Sequence, residues 1–324
     1  MRICYWTPNA GGGAGKYEHY LPREIERLGN EVKIYRRPRG LAGNPLTLRL
    51  FYKSDGDIVH ATTQTLSIYS YPKPERFVVT VHDIYSRHRS FASCVKRFLI
   101  KKTLKRADVV ITTSDFTKKE VEEQVKISGG KIRVIPEGID TSLYKPMDKK
   151  ECRRKLGLDV DKKYILVVSS NLPHKRMDIV RAVLKEIRRS AEDVLLLKAG
   201  YGQGLEEEGV INVGFIPEEK MPILYNAADV LLHTSEYEGF GMPALEALAC
   251  GVPVVISTCT PLSAELRPYA RYVDLSGDYI RNFVEGIFDA LEKGVDKSVI
   301  EIAQRKFSWK EIAKKTQAVY EELT

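Results

Sequence analysis

Apolar, β-branched runs alternate with helix-spaced segments from one end of this 324-residue chain to the other. The runs read as strands at Arg2–Trp6, Glu31–Tyr35, Ile58–His60, Phe77–Val81, Val109–Thr113 and Ile132–Pro136. They continue at Tyr164–Val168, Val194–Lys198, Val210–Val213, Val230–His233 and Val252–Ile256. Most are apolar nearly throughout rather than alternating with polar residues. Such strands, separated by helices, indicate parallel sheets covered on both faces, because parallel neighbours need a crossover between them. The expectation is an α/β chain with two doubly wound, Rossmann-like parallel sheets. Folds of this kind bind ligands beyond the carboxyl ends of their strands.

Size and composition agree with that expectation. A chain of this length suits two domains of roughly 150 residues. Thr141 to Pro146 leads into a charged stretch from Met147 to Lys155, ahead of the strand at Tyr164. The first domain is therefore expected to span 1–146 and the second 147–306. No run approaches the ~20 apolar residues that cross a bilayer, and the N-terminus opens directly as a strand. A cytoplasmic location follows as an expectation. The cysteines stand far apart at 4, 94, 152, 250 and 259, with no C-x-x-C spacing. That pattern argues against a disulfide framework or a zinc site. Charge is uneven: residues 1–150 carry 28 Lys and Arg against 16 Asp and Glu, and the remainder 23 against 27. A basic first half suits an anionic partner such as a lipid headgroup surface or a phosphorylated acceptor. No RNA-binding motif accompanies the charge, so nucleic acid is not expected.

The densest chemistry lies at Glu238-Gly-Phe-Gly-Met-Pro-Ala-Leu-Glu246, directly after the apolar run that ends at His233. A strand, a glycine turn and a helix N-terminus leave free backbone N–H groups for an anion. The two carboxylates suit sugar or ribose hydroxyls, since ionised carboxylates only accept hydrogen bonds. This run resembles the E-x7-E motif of glycosyltransferase family 4, the retaining, nucleotide-sugar-dependent enzymes of the GT-B fold. The resemblance implies that Glu238 faces the donor sugar and Glu246 holds the donor ribose. It also implies that the Phe240–Gly241 backbone helps bind the diphosphate, in a cleft between two domains.

Further matches follow in order along the chain. Asn9-Ala-Gly-Gly-Gly-Ala-Gly-Lys-Tyr17 is neither a P-loop nor a dinucleotide fingerprint, but it resembles the family's glycine loop, with Gly12 and Gly13 toward the diphosphate. Thr80-Val-His82-Asp83 resembles the family's His-Asp pair, which places His82 near the donor sugar as a neutral hydrogen-bond donor. His60, also at a strand end, reads equally as core or as acceptor pocket. Lys175 sits at a helix N-terminus, where a cation opposes the dipole unless an anion is bound. The family has a diphosphate-binding lysine there. Its usual partner arginine is replaced by Ser169, and Arg176 stands where glycine is common. Either Arg176 supplies the second charge or binding rests on Lys175 alone. Pro136-Glu137-Gly138-Ile139-Asp140 resembles a hinge segment in which Glu137 replaces Asn. Gly214-Phe215-Ile216-Pro217 resembles a segment whose backbone touches the nucleobase.

Asp55-Gly-Asp57 and Asp159-Val-Asp161 precede strands, on the wrong edge for donor phosphates, so neither reads as a metal site. No metal and no cofactor are expected. The segment Ser90 to Arg106 combines an apolar face (Phe91, Cys94, Val95, Phe98) with lysines and arginines, and reads as a helix lying on a membrane or on its own sheet. In the family, a Phe-Ser-Trp start like Phe307-Ser-Trp309 opens a last helix that returns to the first domain, so 307–324 is expected there. The resemblance as a whole implies hexosyl transfer, mannose or glucose, from a GDP- or UDP-sugar to a glycan or lipid-linked acceptor. Two other classes use the same site: a GT-B sugar-nucleotide 2-epimerase, which needs no acceptor, and a non-catalytic sugar-nucleotide-binding protein.

Overall fold

The computed structural model describes residues 1–8, 12–36, 52–70, 72–84 and 91–324, with backbone alone at 12–13 and 91–97. The loop beyond Arg36 lies outside the described residues, as do residues 9–11 of the glycine loop.

The chain divides into two compact units, Met1–Gly138 with Phe307–Thr324, and Ile139–Lys306. In the first, the strands are β1 (Arg2–Thr7), β2 (Glu31–Arg36), β3 (Ile58–Ala61), β4 (Phe77–Val81), β5 (Val109–Thr112) and β6 (Ile132–Val134). Helices α1 (Gly12–Arg27), α2 (Phe91–Leu104) and α3 (Asp115–Glu120) connect them. The sheet runs β2-β1-β3-β4-β5-β6, all parallel. In the second unit, α4 (Lys149–Lys155) precedes β7 (Lys163–Val168), α5 (Met177–Arg188), β8 (Val194–Ala199) and β9 (Val210–Gly214). Then come α6 (Met221–Ala227), β10 (Val230–His233), α7 (Met242–Ala249), β11 (Val254–Ser257), β12 (Ala270–Val273), α8 (Tyr279–Lys293) and α9 (Ser298–Lys306). This sheet runs β12-β11-β10-β7-β8-β9, again parallel throughout.

All eleven expected strands form, and a twelfth, β12, joins them. β12 is a half-exposed edge strand whose Arg271 interrupts a short apolar run. The division into units falls at Gly138 rather than Pro146, because residues 139–147 pack with the second unit. Tyr144 lies edge-on to Tyr225 and donates to Glu218, while Asn226 bonds Lys145 and Met147 through their backbones.

Strand order reverses between β1 and β3 in the first sheet and between β7 and β10 in the second. Loops leave in opposite directions at such a point and open a crevice at the strand C-termini. The core under the second crevice is Ile165, Val167 and Leu196 packed on Ile179, Val183 and Ile187 of α5 and on Phe283 and Ile287 of α8. The last helix, α10 (Trp309–Glu321), belongs to the first unit. Trp309 stacks on Tyr20 with centroids 5.6 Å apart. It covers Gly138 so closely that a Cβ there would lie 2.5 Å from the indole. At the other end of α10, the Tyr320 hydroxyl lies 2.8 Å from that of Tyr5 and 2.6 Å from Nδ1 of His60. No helix among the described residues is long and apolar enough to cross a membrane.

Candidate active site

In the second unit, two loops meet where β7 and β10 part. After β7 the chain passes through Ser169 to a tight turn at Pro173–Lys175 and enters α5. After β10 it passes through Thr234 to Glu238. The Glu236 amide donates to the His174 carbonyl (2.8 Å), and the Thr234 hydroxyl donates to that of Lys175 (3.0 Å). These bonds bring the Lys175 ammonium 2.5 Å from Glu238 Oε1. His233, the buried last residue of β10, puts Nε2 2.9 Å from the same oxygen. Burial would raise the Glu238 carboxyl, but His233 and the Lys175 ammonium outweigh it and hold the group well below the ordinary carboxylate range. Glu238 is therefore an oriented anion at physiological pH.

Arg176 adopts left-handed backbone (φ 54°), which explains why glycine suits this place. Its guanidinium is held by Asp178 at 2.7 Å and approaches Glu236 at 3.7 Å. The turn into α7 ends at Gly241, whose φ is 95° and where a Cβ would lie 2.6 Å from the Thr260 methyl. Glycine is required there on both counts. Phe240 beside it is buried. Glu246 lies further along α7, is buried, and accepts a 2.7 Å hydrogen bond from the Tyr225 hydroxyl of α6.

The first unit has its own cluster at the strand ends. His82, just beyond β4, puts Nδ1 2.5 Å from Glu137 Oε1 and Nε2 2.8 Å from the Thr62 carbonyl. An ionised carboxylate and a carbonyl only accept, so these two contacts favour the doubly protonated ring. Burial opposes that charge, but Glu137, the Thr62 carbonyl and Asp83 prevail, and the His82 pKa lies above the ordinary histidine value. The sequence leads to a neutral ring here; the Glu137 partner favours the charged form, and both ring nitrogens are engaged. The second Glu137 oxygen, Oε2, is buried without a partner. His60 resolves to the core: it is fully buried between Tyr320 and Thr80. Burial, helped by nearby His82, pushes its pKa down to about 3. Gly12 and Gly13 open α1, directly beyond the C-terminal end of β1.

Two participants escaped the sequence reading. His233 reads there only as the end of a buried strand, and Glu137 only as part of a hinge. The aspartates of Asp55-Gly-Asp57 tie the turn before β3 to neighbouring strands, Asp55 through Lys33 and Tyr35 of β2, and Asp57 by accepting from the Arg2 amide of β1. In α2, Ile100 and Leu104 pack inward, whereas Phe98, expected on the apolar face, is 66% exposed. The side chains of Phe91, Cys94 and Val95 lie outside the described residues.

Two doubly wound parallel units, the second with cations and an oriented carboxylate at its switch point, are the architecture of the GT-B class of glycosyltransferase. Family models agree with that architecture along nearly the whole chain: "Glycosyltransferase Family 4" matches residues 6–143 and "Glycosyl transferases group 1" matches residues 148–305. The chain belongs to glycosyltransferase family 4. It is similar to D-inositol 3-phosphate glycosyltransferase of Segniliparus rotundus, with 36% identity over 140 residues, 39% of this chain and 31% of that protein. It is also similar to O-antigen chain mannosyltransferase B of Escherichia coli, with 30% identity over 221 residues, 58% of this chain and 54% of that protein. The chain thus spans about half or less of the length of these curated relatives. Among solved structures, Anabaena Alr3699/HepE in complex with UDP-glucose superposes with a TM-score of 0.79 at 20% identity, covering 99% of this chain and 100% of that one.

Proposed function

We propose that this chain transfers a hexose, mannose or glucose, from a GDP- or UDP-sugar to a glycan or lipid-linked acceptor, with retention of anomeric configuration. The observation that carries the reading is the Lys175–Glu238–His233 cluster at the second unit's switch point. A carboxylate held between an ammonium and an imidazole is oriented to accept from sugar hydroxyls, with a cation beside it for the diphosphate. The names of the mannosyltransferase and of the UDP-glucose complex support the donor class.

In the reaction, the bond between the anomeric carbon and the diphosphate oxygen breaks, and the acceptor oxygen bonds to that carbon on the same face. The acceptor proton leaves with the diphosphate. Negative charge develops on the leaving diphosphate, so contacts there count most in the transition state. Lys175, with Arg176 beside it, and the Phe240–Gly241 amides would carry that charge, without a metal ion. Glu238 would orient the sugar and Glu246 the ribose. Glu246 would have to share its carboxylate between Tyr225 and the ribose. Exposed Phe98 and Leu99, followed by Lys101, Lys102 and Lys105, suit an acceptor carried on an anionic lipid surface.

The test is release of UDP or GDP from UDP-glucose or GDP-mannose in the presence of membrane lipid and glycan acceptors. Glu238→Gln should lower turnover roughly 100-fold or more while circular dichroism stays unchanged. Unchanged turnover in that variant would remove the assignment. Conversion of the donor without any acceptor would make the protein the 2-epimerase instead.

A further inference from the structure

Lys198 is the next-to-last residue of β8 and is 3% exposed. Lysine is almost never buried this far without a paired anion. Its ammonium donates to the Ser169 carbonyl at 2.6 Å and to the Ala199 carbonyl at 3.1 Å. Its third hydrogen has no acceptor among the described residues, and no carboxylate there lies within ion-pair distance. The neighbouring cations differ: Lys175 is matched by Glu238, and Arg176 by Asp178. Two carbonyl dipoles compensate a full buried charge only in part.

The position adds to the case. Ser169 is the first residue beyond β7, and the loop it begins is the one that carries Lys175 and Arg176. Lys198 therefore lies directly under that loop, at the carboxyl edge of the sheet one strand from the switch point, the edge where this fold class takes ligands. We infer that the Lys198 ammonium is a further cation for the diphosphate of the donor, reached through the Ser169 turn. The inference rests on the nucleotide-sugar reading. It also answers the absence of an arginine at position 169: the charge comes from the adjacent strand instead of the loop. Burial without a counter-ion pushes the Lys198 ammonium below its usual pKa, a shift that a bound diphosphate would reverse.

A lysine that merely pins the Ser169 loop must be told apart from one that binds the ligand. Lys198→Gln keeps N–H donors for the two carbonyls and removes the charge, whereas Lys198→Arg keeps the charge. Calorimetric titration of the whole protein with UDP, GDP, uridine and guanosine separates the two roles. Lys198→Gln should weaken UDP or GDP binding by roughly tenfold or more while nucleoside binding stays within about twofold. Lys198→Arg should remain close to wild type. Wild-type diphosphate affinity in Lys198→Gln, or equal loss for diphosphate and nucleoside, would overturn the inference and leave the donor reading standing. A wild type that binds diphosphates no better than nucleosides would end both. Should Lys198→Gln not fold, the side-chain nitrogen resonance of Lys198 in the wild-type protein decides. Movement on adding UDP or GDP supports the contact, and an unmoved resonance overturns it.

Discussion

The two units share a strand topology, yet they use the carboxyl ends of their strands in opposite ways. At β3 and β4 the polar groups of the first unit answer one another: His60 lies between Tyr320 and Thr80, and His82 between Glu137 and Thr62. Those bonds tie α10 and three loops to the sheet. At β7, β8 and β10 the second unit gathers ionised groups, Lys175, Glu238 and Lys198, with His233 against the carboxylate. Six parallel strands therefore do not dictate what their edge does. The side chains at the last strand residue and in the loop beyond decide it. The two histidines of the first unit make the same point on a smaller scale. Both are largely buried on neighbouring strands, but only His82 has a carboxylate, so burial leaves His60 neutral while Glu137 keeps His82 charged.

The largest expected effect breaks the first unit alone. Gly138→Ala would push a methyl into Trp309, which Tyr20 and Tyr17 of α1 also contact. Overpacking without room to relax should cost about 3 kcal/mol. Both tryptophans, Trp6 and Trp309, lie in this unit, so their fluorescence follows its unfolding without the other. Denaturation followed by fluorescence should shift to lower urea. An unshifted curve would mean that the indole moves freely. Per unit of pH, the pH response is smaller. Below about pH 6.5 the unfolded chain takes up a proton at residue 60 that the folded chain refuses. Stability should then fall by up to about 1.4 kcal/mol per pH unit as the pH drops from 6.5 toward 3. His82 has the opposite sign: its contribution is complete below the ordinary histidine value and is lost as pH rises through its raised folded value. His60→Asn should flatten the acid limb of tryptophan-detected stability, and Glu137→Gln the alkaline limb. If each variant left its limb unchanged, the two histidines would not differ in charge.

Much of this contrast was legible in the residues, and the rest was not for identifiable reasons. Eleven strands showed themselves, most of them because buried parallel strands are apolar on both faces, and β12 did not because Arg271 and Tyr272 break its short run at a half-exposed edge. The meeting of Lys175 with Glu238 was implied by two local motifs, each readable within a few residues. The His82–Glu137 pair joins positions 55 apart in sequence, and nothing local to either announces it. Lys198 did carry a signal, a lone charge in the apolar run Val194–Ala199, but it passed as the end of a strand. Polar residues inside apolar runs were where the sequence held more than was taken from it.

Two smaller effects sharpen the comparison from the side of the second unit. Tyr225→Phe removes the hydroxyl that donates to buried Glu246. Leaving that carboxylate short of a donor should cost about 1–3 kcal/mol. The loss should appear in the circular dichroism transition and leave the tryptophan transition in place. A shift in both would show that the units unfold together.

Arg176→Gly gives the smallest change and separates backbone from charge. Left-handed backbone costs a non-glycine residue about 1–2 kcal/mol, and glycine removes that cost. Against it stand the greater freedom of glycine in the unfolded chain, about 0.4–1 kcal/mol, and the loss of the Asp178 pair. That carboxylate is 62% exposed, so the pair contributes little beyond about 0.5 kcal/mol. The opposing contributions nearly cancel, and stability should stay within about 1 kcal/mol of wild type. Because Asp178 and Glu236 already hold the guanidinium, diphosphate affinity should fall less than it does in Lys198→Gln. If the order were reversed, the second charge of the crevice would belong to the loop, and Lys198 would hold the loop without touching the ligand.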